Sequence, residues 1–237
     1  MNDEPVRIEV TLPRPIADVW PAFRDPELIR RWHGWDDDGL DAEIRLIFTD
    51  GTIASEEDRT LHIGGHLFTL EELGAQTIVR VTRTTPLDTE AVDWDAWYDD
   101  IDEGWLSFLQ QLRFALTYQW GRDRRALHLG GDALASPPPA VADALGLGDA
   151  ARRAPGERYA CAVADETLEG EVWFRSTHQL GLTVDGWGPG LLLLAEAPNA
   201  PVPLGAATAT LTTYGDDDAT RAERWESLWA AHYRAGD

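Results

Sequence analysis

The chain contains no lysine, one methionine and one cysteine. A lone thiol cannot close an internal disulfide. Cys161 stands in YACAV, an apolar strand-like context that reads as a buried structural thiol rather than a nucleophile. No apolar run reaches the roughly 18 residues that a membrane-spanning helix needs, so none is expected. The opening MNDEPVRIEV lacks a basic region followed by an apolar stretch, and with the single cysteine this points to the cytoplasm. Positive charge is scarce: 20 basic residues, all arginine, face 42 acidic ones, for a formal net charge of −22. A surface this acidic repels phosphate backbones and anionic lipid, which excludes nucleic acid and membranes as expected partners. The metalloprotease helix motif, the glycine-rich phosphate loop, the dinucleotide fingerprint and the paired-cysteine metal site are all missing, so no cofactor and no metal are expected.

Tryptophan is the residue in surplus, with 11 in 237 residues. Two segments concentrate it with other aromatics: PRPIADVWPAFRDPELIRRWHGW (Pro13 to Trp35) and WDAWYDDIDEGWLSFLQQLRFALTY (Trp94 to Tyr118). Before the first, RIEVTLP alternates apolar Ile8, Val10 and Leu12 with polar neighbours, the period of a half-buried strand. Ile16, Val19, Trp20 and Phe23 then follow helical spacing, with Pro15 suited to the first turn. Asp25-Pro26 ends that helix, and Pro26 starts a second one carrying Leu28, Ile29 and Trp32. AEIRLIFTD, TIASEEDRTLHI, HLFTLEEL and QTIVRVTRTT read as short antiparallel strands, separated by turns at Asp50-Gly51, Gly64-Gly65 and Gly74. A helix from about Asp102 to Tyr118 closes the series, with Trp105, Phe108, Leu109, Leu112 and Leu116 on one face. Asp99, Asp100, Asp102 and Glu103 at its start complement the helix dipole. Asp93, Asp95 and Asp99 alternate like cation ligands, but the stretch lacks the mid-loop glycine and closing glutamate of an EF-hand, so capping and solvation are the expectation.

Val19-Trp20, the Asp25-Pro26-Glu27 step, Trp32 and Gly104-Trp105 occur in an order and at separations that give the chain a family resemblance. Residues 5 to about 120 resemble the SRPBCC (START-like, Bet v 1-like) superfamily, in particular the branch of the heat-shock-protein-90 ATPase activator homologues. The resemblance implies an α+β helix-grip fold, a curved antiparallel sheet wrapped around a long C-terminal helix, with an apolar cavity between them.

Beyond residue 123 the signatures fade. ALASPPPAVADALGLG opens with a proline-rich break and runs into a short helical pattern. Strand-like RYACAVAD, LEGEVWFRS, HQLGLTVDGW, GLLLLAEAP and AATATLTTYG follow. The chain ends in DDDATRAERWESLWAAHYRAG, a helix whose inward candidates are Trp225, Leu228, Trp229 and His232. Each stands 120 positions after Trp105, Phe108, Leu109 and Leu112. Two tandem units are therefore expected, a helix-grip domain over residues 1–122 and a diverged second one over 123–237. One enlarged domain is the alternative.

The candidate ligand-binding residues are Trp20, Phe23, Trp32, His33, Trp35, Trp105, Phe108, Leu109 and Leu112. The aromatics among them lie on elements that bound the cavity implied by the resemblance, and apolar walls with a few polar groups are the usual make-up of a small-molecule site. Packing that simply fills the space is the competing reading. His33, between Trp32 and Trp35, is the polar candidate. His62 and His66 flank the Gly64-Gly65 turn and read as surface residues. Gly130-Gly131 reads as another turn. His232 replaces an apolar residue on its stripe and needs a partner there. No catalytic set is evident, so the leading expectation is a non-catalytic protein that holds a small hydrophobic or amphipathic molecule. A cyclase- or dehydratase-like enzyme acting on an aromatic or polyketide-type ligand is the second. A co-chaperone-like interaction module, with a protein partner or a homodimer, is the third.

Overall fold

Strand and helix signals in the first half organise one antiparallel sheet and its helices. The computed structural model describes residues 6–84, 94–188, 190–196, 207–215 and 219–234, and only the backbone of 94–100. The chain divides into two units, Met1–Arg122 and Asp123–Asp237. Both are α+β with antiparallel strands.

In the first unit β1 (Val6–Leu12) buries Ile8, Val10 and Leu12. Helix α1 (Ile16–Ala22) begins after Pro15. Helix α2 (Pro26–Ile29) is capped by Asp25, whose carboxylate accepts the Glu27 N–H at 3.0 Å. The Asp-Pro-Glu step is thus a helix start, with proline where its missing N–H costs nothing. After α3 (Leu40–Ile44) come β2 (Thr52–Ser55), β3 (Thr60–Ile63), β4 (His66–Leu73) and β5 (Gln76–Arg83). The long α4 (Trp94–Phe114) runs on as a π-helical segment, Ala115–Gln119. Sheet order is β1-β5-β4-β3-β2, so the last strand returns beside the first. Arg14 joins the layers: its carbonyl accepts the Thr77 hydroxyl at 2.9 Å, and its Nε donates to the Leu116 carbonyl at 3.3 Å.

Three expectations change here. AEIRLIFTD is helical, made of α3 and a π-helical turn over Arg45–Asp50. Leu40, Ile44 and Phe48 recur every four residues and bury one face, a helical pattern that outweighs the strand-like composition. TIASEEDRTLHI holds two strands, because Glu56 to Arg59 form a turn in which Arg59 has φ 53°. The Ser55 hydroxyl bonds the Asp58 carboxylate (2.8 Å) and accepts the Asp58 N–H (3.2 Å). The closing helix begins at Trp94 rather than near Asp102. Asp93 and the side chains of Asp95, Asp99 and Asp100 lie outside the described residues.

The second unit starts with β6 (Arg124–Ala133), followed by α5 (Val141–Ala144), α6 (Gly148–Ala151), β7 (Arg158–Val163), β8 (Glu166–Arg175), β9 (Gln179–Val184), β10 (Gly190–Glu196), β11 (Ala207–Tyr214), α7 (Ala219–Ala230) and β12 (Tyr233–Arg234). Its sheet runs β12-β6-β11-β10-β9-β8-β7. Apart from the added β12 this repeats the circuit of the first sheet: opening strand beside closing strand, then the meander in reverse. Gly130-Gly131 is a mid-strand pair, not a turn. A Cβ on Gly131 would run into the Arg234 carbonyl, so the missing side chain lets β12 approach β6. Leu127, Leu129, Leu182, Leu192, Leu194 and Leu211 share a core with Trp225 and Trp229. His232 is not on that stripe. The helix ends at Ala230, His232 occupies the turn beyond it half-buried, and Tyr233 takes the inward position. Among the described residues no helix is long and apolar enough to cross a membrane.

Candidate functional site

The residues of the first unit that alternate between core and chemistry gather around His33. Helix α2 ends at Ile29, and the His33 N–H still reaches the Ile29 carbonyl at 2.9 Å, so one more turn carries Trp32 and His33 inward. Gly34 then reverses the chain with φ 63°, in close contact with Leu40. The His33 side chain is 1% exposed. Its ring centroid lies 4.4 Å from Phe108, 4.9 Å from Phe48, 5.9 Å from Trp32 and 6.0 Å from Trp105. Trp32 and Phe48 meet the imidazole nearly edge-on, at 82° and 80°.

Around this centre Phe23 packs on Trp32 (5.2 Å) and Phe68 (6.3 Å), and Phe68 packs on Trp105 (4.8 Å). Trp35, half-buried, faces Phe108 at 6.4 Å. The structure thus brings together Phe23, Trp32, His33, Trp35, Trp105 and Phe108. Leu109 and Leu112 are fully buried in the same core. Trp20 belongs to that core but turns its indole N–H to Glu56 (2.6 Å), with Arg59 5.1 Å above the ring. The Trp32 N–H donates to the Ala22 carbonyl at 2.9 Å, a main-chain partner that fixes the ring.

Phe48 and Glu43 are the residues of this candidate site that sequence reasoning misses, both within the stretch read as a strand. His33 Nε2 is 3.1 Å from Glu43 Oε1, and the glutamate side chain is 41% exposed. An imidazole held by a carboxylate that reaches solvent has a route for a proton and a fixed ring orientation. Aromatic surface with one polar group at its centre can hold an apolar molecule and orient its polar atom.

A second polar cluster sits where the sheet meets α4. His66 and Arg83 are cross-strand partners on β4 and β5. Both reach Asp102: His66 Nε2 to Oδ1 at 2.8 Å, and Arg83 Nη2 to Oδ2 at 2.9 Å. His66 Nδ1 lies 3.3 Å from the Gly64 carbonyl. The His66 side chain is 0% exposed, which corrects its reading as a surface residue, whereas His62 is exposed. The triad ties two strands to the helix that carries Trp105 one turn later. Among the described residues no three metal-ligating side chains cluster.

In the second unit Trp225 meets Trp187 edge-on at 5.7 Å, and its N–H points to Glu166 at 3.3 Å. Cys161 is buried in this core. The Tyr159 hydroxyl donates to the Thr183 carbonyl at 2.8 Å, and burial pushes its pKa up. His128 on β6 has Nδ1 2.9 Å from the Thr210 hydroxyl, and burial lowers its pKa from 6.5 to about 4.

The chain matches no protein-family model and no curated protein sequence. Among solved structures it is similar to DynU16, a protein in the dynemicin biosynthetic locus, with 17% identity, 94% of each chain covered and a TM-score of 0.32. It is also similar to the di-domain ARO/CYC StfQ from the steffimycin biosynthetic pathway, with 12% identity, 94% of this chain and 93% of that one covered, and a TM-score of 0.34.

Proposed function

We propose that the protein is a tandem of two helix-grip units, and that the first holds a small hydrophobic or amphipathic molecule against the His33 cluster. One observation carries this reading: a buried histidine is ringed by Trp32, Phe48, Trp105 and Phe108 and tied to a half-exposed glutamate. A core built only for stability gains nothing from a polar ring at its centre. The resemblance of residues 5 to about 120 to START-like proteins supports the same reading, as does the repeated sheet circuit. Trp35 and Phe108, half-buried, would form the way in.

Native mass spectrometry of freshly purified protein, compared with a denatured sample, tests the proposal. A reproducible added mass lost on denaturation is expected. Trp35→Ala, at a half-buried position, should reduce its retention several-fold. A clean mass, with no gain on incubation with naphthalene-type aromatics, would sink the binding reading.

The His33–Glu43 hydrogen bond favours a second reading, in which the pair exchanges protons with the bound molecule as a cyclase or dehydratase would require. Glu43→Gln separates the two. A pure binder keeps its affinity and shows no turnover in either form. An enzyme keeps its affinity but loses the conversion, seen as loss of water from the ligand's mass.

A further inference from the structure

The core of the second unit ends differently from the way it begins. On its inward face, side chains shrink along the sheet. Leu127, Leu211 and Leu192 stand in one cross-strand row, and Leu129, Ala209 and Leu194 in the next. The following row is Gly131, Ala207 and Glu196. Because strand side chains alternate, Glu196 lies on the same face as Leu192 and Leu194. Its carboxylate accepts the Val141 N–H at the start of α5.

Over this end of the core α7 gives way to β12, and Trp229 stacks on Tyr233 with centroids 4.1 Å apart and planes 19° from parallel. Trp229 is 5% exposed and Tyr233 3%. Neither the Trp229 indole N–H nor the Tyr233 hydroxyl has a hydrogen-bond partner among the described residues. A buried donor without a partner carries the full cost of its lost hydration. Tyrosine and tryptophan are retained where their polar handles are used.

We propose that the second unit has a ligand site of its own under the end of α7, where Trp229 and Tyr233 donate to a neutral carbonyl oxygen of a flat, apolar molecule. The preference for a neutral acceptor follows from Glu196. A carboxylate on the same face repels an anionic ligand, and the chain's −22 charge does so at longer range. Glu196 also helps burial to hold the Tyr233 hydroxyl protonated, with its pKa up to about 12, so it stays a donor at neutral pH.

Three naphthalene probes test this on the full chain by calorimetry: methyl naphthyl ketone, isopropylnaphthalene and naphthoate. The ketone and the isopropyl compound are nearly isosteric, and the second is the more hydrophobic. The ketone should bind about tenfold more tightly, the effect of one or two well-formed hydrogen bonds. Tyr233→Phe, which keeps the stack and the fold, should bring the two close to parity, and naphthoate should bind more weakly than the ketone. Because Trp35 belongs to the first-unit site, the probes are also titrated into Trp35→Ala and Trp35→Ala/Tyr233→Phe: a preference there that depends on Tyr233 belongs to the second unit, and a preference lost with Trp35 alone overturns the proposal. The proposal is overturned if isopropylnaphthalene binds as tightly as the ketone, if naphthoate binds best, or if the preference survives Tyr233→Phe.

Discussion

Asp102 is shared by His66 and Arg83, two of the most buried polar side chains in the first unit. Its value lies in burial, since the same ion pair on the surface would contribute well under 1 kcal/mol. Asp102→Ala removes the carboxylate that both face and should cost about 3 kcal/mol. Urea unfolding would show this as a lower midpoint with an unchanged slope, and a shift within error would mean the triad is energetically a surface pair. At this scale the sequence is readable in part. His33 stands out because two tryptophans flank it at Trp32 and Trp35. His66 does not, because the Gly64-Gly65 turn beside it signals an exposed hairpin. Its burial comes with Asp102 on α4, which meets the sheet where β4 begins and β5 ends. That relation joins residues 36 apart and leaves no local pattern.

Elements are legible where one periodicity dominates. Strand β1 alternates cleanly and is read without ambiguity, and so are β7 and the apolar face of α4. Residues 40–50 fail because Ile44, Leu46, Ile47 and Phe48 look strand-like in composition. Only the spacing of Leu40, Ile44 and Phe48 betrays the helix. Strand β6 fails for the opposite reason: Gly130-Gly131 looks like a breaker, and its purpose appears only when β12 returns from the far end of the chain. Gly131→Ala tests that purpose. The added methyl meets the Arg234 carbonyl, so β12 must move away from β6, at a cost of about 1–3 kcal/mol. Hydrogen exchange should localise the change. The Leu134 N–H, which donates to the His232 carbonyl at 2.9 Å, should lose protection, while the β10–β11 amides keep theirs. Uniform loss across the sheet would mean that the glycine serves the whole sheet rather than the β12 edge.

At the scale of the whole molecule, the two sheets repeat one circuit. The sequence hints at it through the closing helices, where Trp105 and Leu109 correspond to Trp225 and Trp229. What it cannot announce is that β1 pairs with β5 and β6 with β11, because non-local pairing leaves no trace in a short window. Charge also acts on the whole chain, and two effects oppose each other as pH falls. Lowering the pH from 7 toward the pI of about 4.5 neutralises carboxylates and relieves the self-repulsion of a −22 chain, which stabilises the folded state. His128 works the other way. Unfolded, it binds a proton near pH 6.5, whereas burial holds it neutral in the folded state down to about pH 4. Between those values the unfolded chain carries the extra proton, so this group's contribution falls as pH drops through that window and is fully present above it. From pH 7.5 to pH 5 the loss amounts to about 2 kcal/mol at most, one proton's worth over the part of the window that stays clear of the pI. His128→Gln keeps a polar partner for Thr210 but cannot titrate. Its stability, measured by urea unfolding at pH 5, 6 and 7.5, should therefore fall less than that of the native protein, or rise, with the two curves diverging only below about pH 6.5. Parallel curves would show that His128 protonates equally easily in the folded state, and that the pH dependence in this range comes from other groups.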